Sequence, residues 1–461
     1  MAIMVRKEMP GLFWAIVALV VLLPLPLGAI YQWSWGVMAC VVGAVLAFWS
    51  ARVALGLQDV GFGLQGVWPL AILFAITTAW IMLQAQSITP STWHHPLWAT
   101  AAQALGVETA SAISLNPVDT LSGLVRLLAY GGIFWISLQY CRRATRARQV
   151  LLAVVYGGLG YALYGLVGYL TGSEGILFHK AADLDDLTGT FVDHNSFAIQ
   201  AGLGLVCCTA LLFVLLAQGS GSTATFKDRV SSLVEVAKRN WPLFLAWHVM
   251  LLALLLSHSR VGLFSALLGL LSLTVLAGMT RAIGRRPALI FGALGVAGLI
   301  GVLGIGADHG LARLLPTSLP ADQRALMYDR LLAAIDDSGA LGTGFGTFED
   351  AFRFYRTSDM HGSFDTAHNT YLENVLELGV PAALALFGIF VSFVVLCALG
   401  IQRRRRDAVY PCVGFAVTIL AAAHALFDFS LQIPAIMATY MLIMGAACAQ
   451  CWSSRRPADP W

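Results

Sequence analysis

The sequence predicts an all-α integral membrane protein with about 12 transmembrane helices and one large polar loop between the ninth and tenth. Three observations carry that prediction. Hydrophobic residues make up 58% of the chain and charged residues only 11%, against about 25% charged in soluble domains, and mean hydropathy is +0.76. The apolar residues fall into runs of roughly 20, the length that crosses about 30 Å of hydrocarbon. Ionisable side chains concentrate instead in one interval, Ala307 to Tyr371.

The runs cover approximately 11–30, 35–51, 67–85, 121–141, 149–171, 196–217, 242–257, 261–279, 287–305, 379–401, 408–428 and 432–451. The first follows Arg6 and Lys7 as a signal sequence would. It is long, lacks a clear small-residue cleavage site and is followed by further spans, so it reads as an uncleaved anchor. The seventh is short and is separated from the eighth only by Ser257, His258, Ser259 and Arg260; the topology depends on that boundary. With both termini placed in the cytoplasm, cytoplasmic segments hold 20 of the 28 Lys and Arg residues, which is the bias that sets orientation. Residues 1–461 then form a single polytopic domain, and 306–370 is its large external loop. Gln218 to Thr223 reads as a short flexible linker. The eight cysteines sit in or at the ends of apolar runs; they behave as small hydrophobes and form no disulfide framework.

Three external segments are long enough to build a site: 86–120, 172–195 and 306–370. In the last, Met327, Leu331, Ala334 and Ile335 recur at the spacing of an amphipathic helix, which is expected to lie along the membrane surface. Gly342, Gly344 and Gly346 alternate, but no hydrophobic strand precedes them and no P-loop lysine follows. They predict a tight turn that lets backbone approach closely.

His368 stands just before a helix expected to begin near Asn369 or Thr370 and to run into span ten, with Gly379 and Pro381 as interruptions. The positive end of that helix favours a neutral imidazole, which can accept a proton; the alternative is a structural hydrogen bond at a cap. Arg260 lies where two apolar spans meet, a costly place for a charge. Its guanidinium could grip a diphosphate bidentately or snorkel to lipid phosphates. Asp193, His194 and Asn195 open span six, as helix caps, substrate contacts or both. His179 and Lys180 could bind an anion or form a solvated pair.

Other features are weaker. Cys448 and Cys451 have no second ligand pair for zinc. Arg403 to Arg406 read as a topology determinant or an anionic-lipid contact, with no nucleic-acid partner. His94 and His95, between Trp93 and Trp98, look interfacial. His248 and His424 lie within spans seven and eleven, as partners of polar neighbours or as cavity lining.

Three pieces, Thr188 to Ala198, Ser257 to Gly262, and Gly342 to Gly379 with its Ala-His368-Asn369-Thr-Tyr371-Leu core, together resemble the O-antigen ligase and O-antigen polymerase group, which includes exopolysaccharide polymerases. The resemblance implies a GT-C-like glycosyltransferase of the bacterial inner membrane with a periplasmic active site. It implies metal-independent, inverting transfer of a glycan from an undecaprenyl-diphosphate carrier to a glycan or lipid-linked glycan acceptor, among membrane lipids and with no cofactor. By its motifs His368 is the base for the acceptor hydroxyl and Arg260 binds the diphosphate; beside these, Lys180, His194, Asn195, Arg330, Asn369 and Tyr371 are read as substrate-binding residues. The ligases also carry an arginine shortly before span six, where this chain has Asp185, Asp186 and Leu187. That departure counts against a strict lipid-A-core ligase and leaves the role to Lys180, His194 or an arginine of the large loop. The chemistry is consistent: diphosphate leaves readily, so positive charge and a base suffice. A cavity open sideways to lipid would admit the polyprenyl tail, while the large loop covers the acceptor. The rival reading, a transporter or flippase of a lipid-linked oligosaccharide, expects interrupted spans in corresponding halves and charges near the midplane. Neither is evident.

Overall fold

Apolar runs without water must satisfy their backbone internally, and helices do so within one segment. The computed structural model describes residues 9–107, 110–172, 186–218, 235–236, 238–280, 292–293, 295–298, 300–301, 321–360, 364–404 and 407–452, and among them no strand occurs. In chain order the helices are α1 (Pro10–Leu22), α2 (Gln32–Ala54), α3 (Trp68–Gln84), α4 (Leu97–Leu105), α5 (Pro117–Tyr140), α6 (Ala144–Thr171), α7 (His194–Gln218), α8 (Trp241–Leu256), α9 (Arg260–Met279), α10 (Ala321–Ser338), α11 (Phe348–Phe352), α12 (Thr370–Leu378), α13 (Val380–Arg403), α14 (Val409–Ala425) and α15 (Pro434–Ala449). Eleven of the twelve expected spans thus contain a described helix. Of the ninth, 287–305, only residues within 292–301 are described, and these are helical.

Six helices, α2, α5, α6, α7, α9 and α13, are long and apolar enough to cross a membrane, and α1, α3, α8, α14 and α15 are shorter apolar helices. The chain is a multi-pass membrane protein. Its outer helices turn large apolar side chains outward, among them Trp33 and Val37 on α2, Ile72 and Ile76 on α3, and Leu384 and Val395 on α13. In water such patches would be a liability; against lipid they cost nothing.

Local chemistry decides where helices stop. α1 ends at Leu22 rather than near residue 30 because Pro24 and Pro26 cannot donate to the ladder. The boundary between spans seven and eight stands: α8 ends at Leu256, His258 takes a left-handed φ of 51°, and the Ser259 side chain caps α9 by accepting from Gly262 N–H. Centrally, α15 packs on α5, where the Ser137 hydroxyl donates to the Leu442 carbonyl at 2.8 Å.

The large loop has its own core. Met327, Leu331 and Ala334 of α10 are buried with Phe348 and Phe352 of α11, Phe364, and Leu376 of α12. The amphipathic stripe expected on the membrane surface is therefore covered by protein, because α11 and α12 supply a closer apolar partner than lipid. The glycine turn fastens this core to the bundle. Thr343 N–H and Gly344 N–H donate to the Leu376 and Glu377 carbonyls at 3.0 and 2.9 Å, and Thr343 C=O accepts from Leu115 N–H at 2.8 Å. Gly344 has φ +108°, and a side chain there would strike Ser114 and Thr120, so glycine is required.

Candidate active site

The site forms where the starts of α7, α9, α12 and α15 and the end of α14 meet on one face, here termed the loop face. Asn369 caps α12, its side-chain oxygen accepting from Tyr371 N–H and Leu372 N–H, both at 3.1 Å. Its amide nitrogen donates to the Leu426 carbonyl just past α14 at 3.1 Å, and the Thr370 hydroxyl donates to the Asp428 carbonyl at 2.9 Å. These bonds lock the start of α12 onto the α14–α15 connection. His368, one residue earlier, is held at φ +46°, a conformation uncommon outside glycine that tends to mark function.

So held, the His368 ring lies edge-on to Phe429 at 5.2 Å between centroids, and its Nδ1 sits 3.6 Å from Asp428 Oδ1. Asp428 is fully buried, whereas His368 keeps 22% side-chain exposure. The Asp428 carboxylate accepts from Phe429 N–H at 2.8 Å and from the Ser430 hydroxyl at 2.9 Å. A carboxylate facing one ring nitrogen favours the proton on that nitrogen and leaves the other free to accept. Separations slightly beyond hydrogen-bond range are common in catalytic pairs before substrate binds.

From Asp428 a chain of polar contacts runs to Arg260. Ser430 lies 3.4 Å from the Ser196 hydroxyl; Ser196 is held by Asp193 through its N–H at 2.8 Å and its hydroxyl at 2.6 Å. The adjacent Asn195 accepts from the Ser259 hydroxyl at 2.6 Å. Ser259 caps α9, whose first residue is Arg260, exposed and with no hydrogen bond or ion pair among the described residues. Burial, with the Asp428 charge adding to it, pushes Asp193 up to about 6. Asp193 therefore sheds charge more readily than its neighbour.

The O-antigen ligase family model matches residues 245–387, a stretch holding both Arg260 and His368. Over that stretch the chain is similar to the O-antigen ligase family. No curated protein matches it.

Against this geometry the expected site residues separate. His368 and Arg260 stand at the two ends of the polar chain. Asn195 is almost fully buried and uses its oxygen on Ser259, so it ties α7 to α9. Asn369 spends both its amide oxygen and its nitrogen on backbone. Tyr371 donates its hydroxyl to the Ala422 carbonyl at 3.0 Å. Asp186 lies 3.5 Å from His194 Nδ1 and 2.6 Å from His258 Nδ1. Where the ligases carry an arginine, this chain thus has a carboxylate clasping two imidazoles. Arg330 is exposed on α10, and no described contact joins it to the site. Lys180, with His179 and Asp185, lies outside the described residues. His248 is exposed, its Nδ1 2.7 Å from the Phe244 carbonyl of its own helix, while His424 is fully buried four residues before Asp428. Among the described residues no cluster of three or more His, Cys, Asp or Glu side chains is arranged to hold a metal ion.

Two functional candidates escape sequence reasoning. Asp428 reads as the last residue of an apolar span, yet it is the only acidic residue between 408 and 452, which is the signal that could have singled it out. Arg126, inside span four, lines a cavity of about 640 Å³ between α3, α5, α13, α14 and α15, together with Glu373 and Glu377 of α12. Burial pushes Glu373 up to about 7, partly offset by a bond from Ala367 N–H. Burial, then the Glu373 charge, pushes Glu377 up to about 8, although it accepts from Phe348 N–H at 3.0 Å.

Proposed function

We propose that this O-antigen ligase/polymerase-type protein transfers a glycan from an undecaprenyl-diphosphate carrier to a sugar hydroxyl at the periplasmic face of the bacterial inner membrane. The observation that carries this reading is the His368–Asp428 pair, joined through Ser430, Ser196, Asn195 and Ser259 to the helix start that presents Arg260. His368 takes the proton of the acceptor hydroxyl, and the acceptor oxygen attacks the anomeric carbon. The bond from that carbon to the diphosphate breaks, and the carrier diphosphate leaves with the electron pair. Asp428 stabilises the imidazolium as it forms. Arg260, with its fork of donors, takes the charge developing on the diphosphate. A single displacement inverts the anomeric centre, and neither step calls on a metal.

The test uses purified full-length protein, a lipid-diphosphate oligosaccharide and candidate acceptors, with His368→Ala and Arg260→Ala alongside. Each variant is expected to lose at least about 100-fold in rate, the usual scale for a general base or a charge-stabilising donor. Full transfer by both would overturn the mechanism. Growth of lipid-linked chains without another acceptor identifies a polymerase, and transfer only to a separate glycan identifies a ligase. Transfer that survives chelation supports the metal-free step.

A further inference from the structure

The turn that presents His368 is fastened on two sides. On one side Asn369 and Thr370 donate to the Leu426 and Asp428 carbonyls. On the other, Ala367 N–H donates to Glu373 Oε2 at 2.8 Å. Ala367 is fully buried and Glu373 is only 4% exposed, so water cannot stand in for either partner. A glutamate in the first turn of a helix commonly faces solvent and answers the helix dipole. This one turns inward to the wall of the cavity beside α12 and reaches back across the Asn369 cap.

The same carboxyl accepts from the Gln432 side chain. Gln432 ends the turn Ser430–Gln432, whose first residue donates its hydroxyl to Asp428. One side chain therefore joins the residue before His368 to the turn that follows Asp428. His368 and Asp428 do little to hold each other. Nδ1 and Oδ1 stand 3.6 Å apart, beyond a hydrogen bond, and φ +46° is a conformation that a non-glycine residue keeps only where its surroundings impose it. Their separation is set by the backbone on either side, which is where Glu373 acts. Arg126 lines the same cavity, but its charge acts on Glu377, one turn further along α12, whereas the charge that acts on Glu373 is that of His368.

We infer that Glu373 is a positioning residue for His368: its carboxyl clamps the Ala367 peptide to the Gln432 side chain and so fixes the imidazole against Asp428. Neither the helix cap nor the loop core needs this clamp. Asn369 already caps α12, and Phe348, Phe352 and Leu376 pack together without Glu373. Removing the carboxyl leaves those fastenings in place and frees the backbone that precedes the base. The inference rests on the proposed function only for the role of His368 as that base.

The test uses the full-length protein with three substitutions. Glu373→Met keeps the length of the side chain and removes the acceptor, Glu373→Gln keeps an oxygen for Ala367 N–H, and Gln432→Met removes the other half of the clamp. One reading is the rate at which diethyl pyrocarbonate, which acylates an accessible neutral imidazole, modifies His368, followed by peptide mass spectrometry. The other is the kinetics of glycan transfer, with thermal unfolding measured on the same preparations. Glu373→Met is expected to raise the modification rate about threefold or more and to lower kcat about 10- to 100-fold, the scale of a misplaced catalytic group, with KM within about threefold. Gln432→Met should shift both readings in the same direction. Glu373→Gln should recover to within about threefold of wild type, since its oxygen retains the bond. Wild-type modification and kcat in both methionine variants overturn the inference. So does a Glu373→Gln protein as impaired as Glu373→Met, because charge and not the bond would then be what His368 needs. The modification reading does not depend on transfer. If His368→Ala transfers at full rate while Glu373→Met still exposes His368, only the transfer mechanism fails; if His368→Ala abolishes transfer while both methionine variants behave as wild type, only the clamp fails.

Discussion

Replacing Asp428 by Asn isolates the electrostatic part of the site. The side chain keeps its volume, its oxygen can still accept from Phe429 N–H, and its amide can donate to the Ser430 hydroxyl, so the fully buried position loses its charge without losing its bonds. What disappears is the anion 3.6 Å from His368 Nδ1. At an effective dielectric of about 20, that separation corresponds to about 4–5 kcal/mol of stabilisation for an imidazolium. The positive ring exists only while the acceptor proton is being carried, so the loss falls on the transition state, roughly 10³-fold in rate. The assay is the initial rate of glycan transfer over a range of donor concentrations, with thermal unfolding measured on the same preparations. The expected result is a large fall in kcat with KM within a factor of about three and an unchanged melting temperature. An Asp428→Asn enzyme transferring within about threefold of wild type would refute the assignment. So would a loss confined to KM, since Asp428 would then be shaping a binding surface rather than supporting the base.

Much of this fold is legible in the sequence, and the illegible part has a physical pattern. Runs of apolar residues long enough to cross a bilayer are a local property, and they locate the spans; their ends depend on finer features such as proline placement, so α1 stops at Leu22 ahead of Pro24 and Pro26. His368 is readable because its neighbourhood is local: a polar residue, an asparagine cap, then a helix. Asp428 is hidden because Leu426, Phe427 and Phe429 continue the apolar pattern around it, and its partner lies 60 residues away in sequence. The stripe on α10 announces its own period but not what covers it. A helix face can be read from one segment, whereas the choice between lipid and α11 with α12 depends on long-range packing. Arg126 is visible as a charge inside a span, yet the cavity it lines is built from five apolar helices together with α11 and α12, which no local pattern relates.

Two further outcomes follow from the way the large loop is fastened. Gly344→Ala must hold a side chain at φ +108° against Ser114 and Thr120, which is expected to cost about 1–3 kcal/mol and to lower the melting temperature by several degrees; an unchanged melting temperature would show that the turn does not anchor the loop. Glu377 supplies a pH dependence whose sign is fixed. Burial and the nearby Glu373 charge raise it to about 8 in the folded protein, against about 4.3 for an unperturbed glutamate. Between those values the folded state holds a proton that the unfolded state has released, so stability is fully present below the lower value and is lost as pH rises through about 8. Glu377→Gln keeps an oxygen for Phe348 N–H but cannot ionise. It is expected to flatten the decline in melting temperature between pH 6 and 9, with its largest gain over wild type at the alkaline end. A parallel decline in both proteins would mean that Glu377 already ionises freely in the folded state, and that the carboxyl beside Arg126 is charged rather than neutral near pH 7.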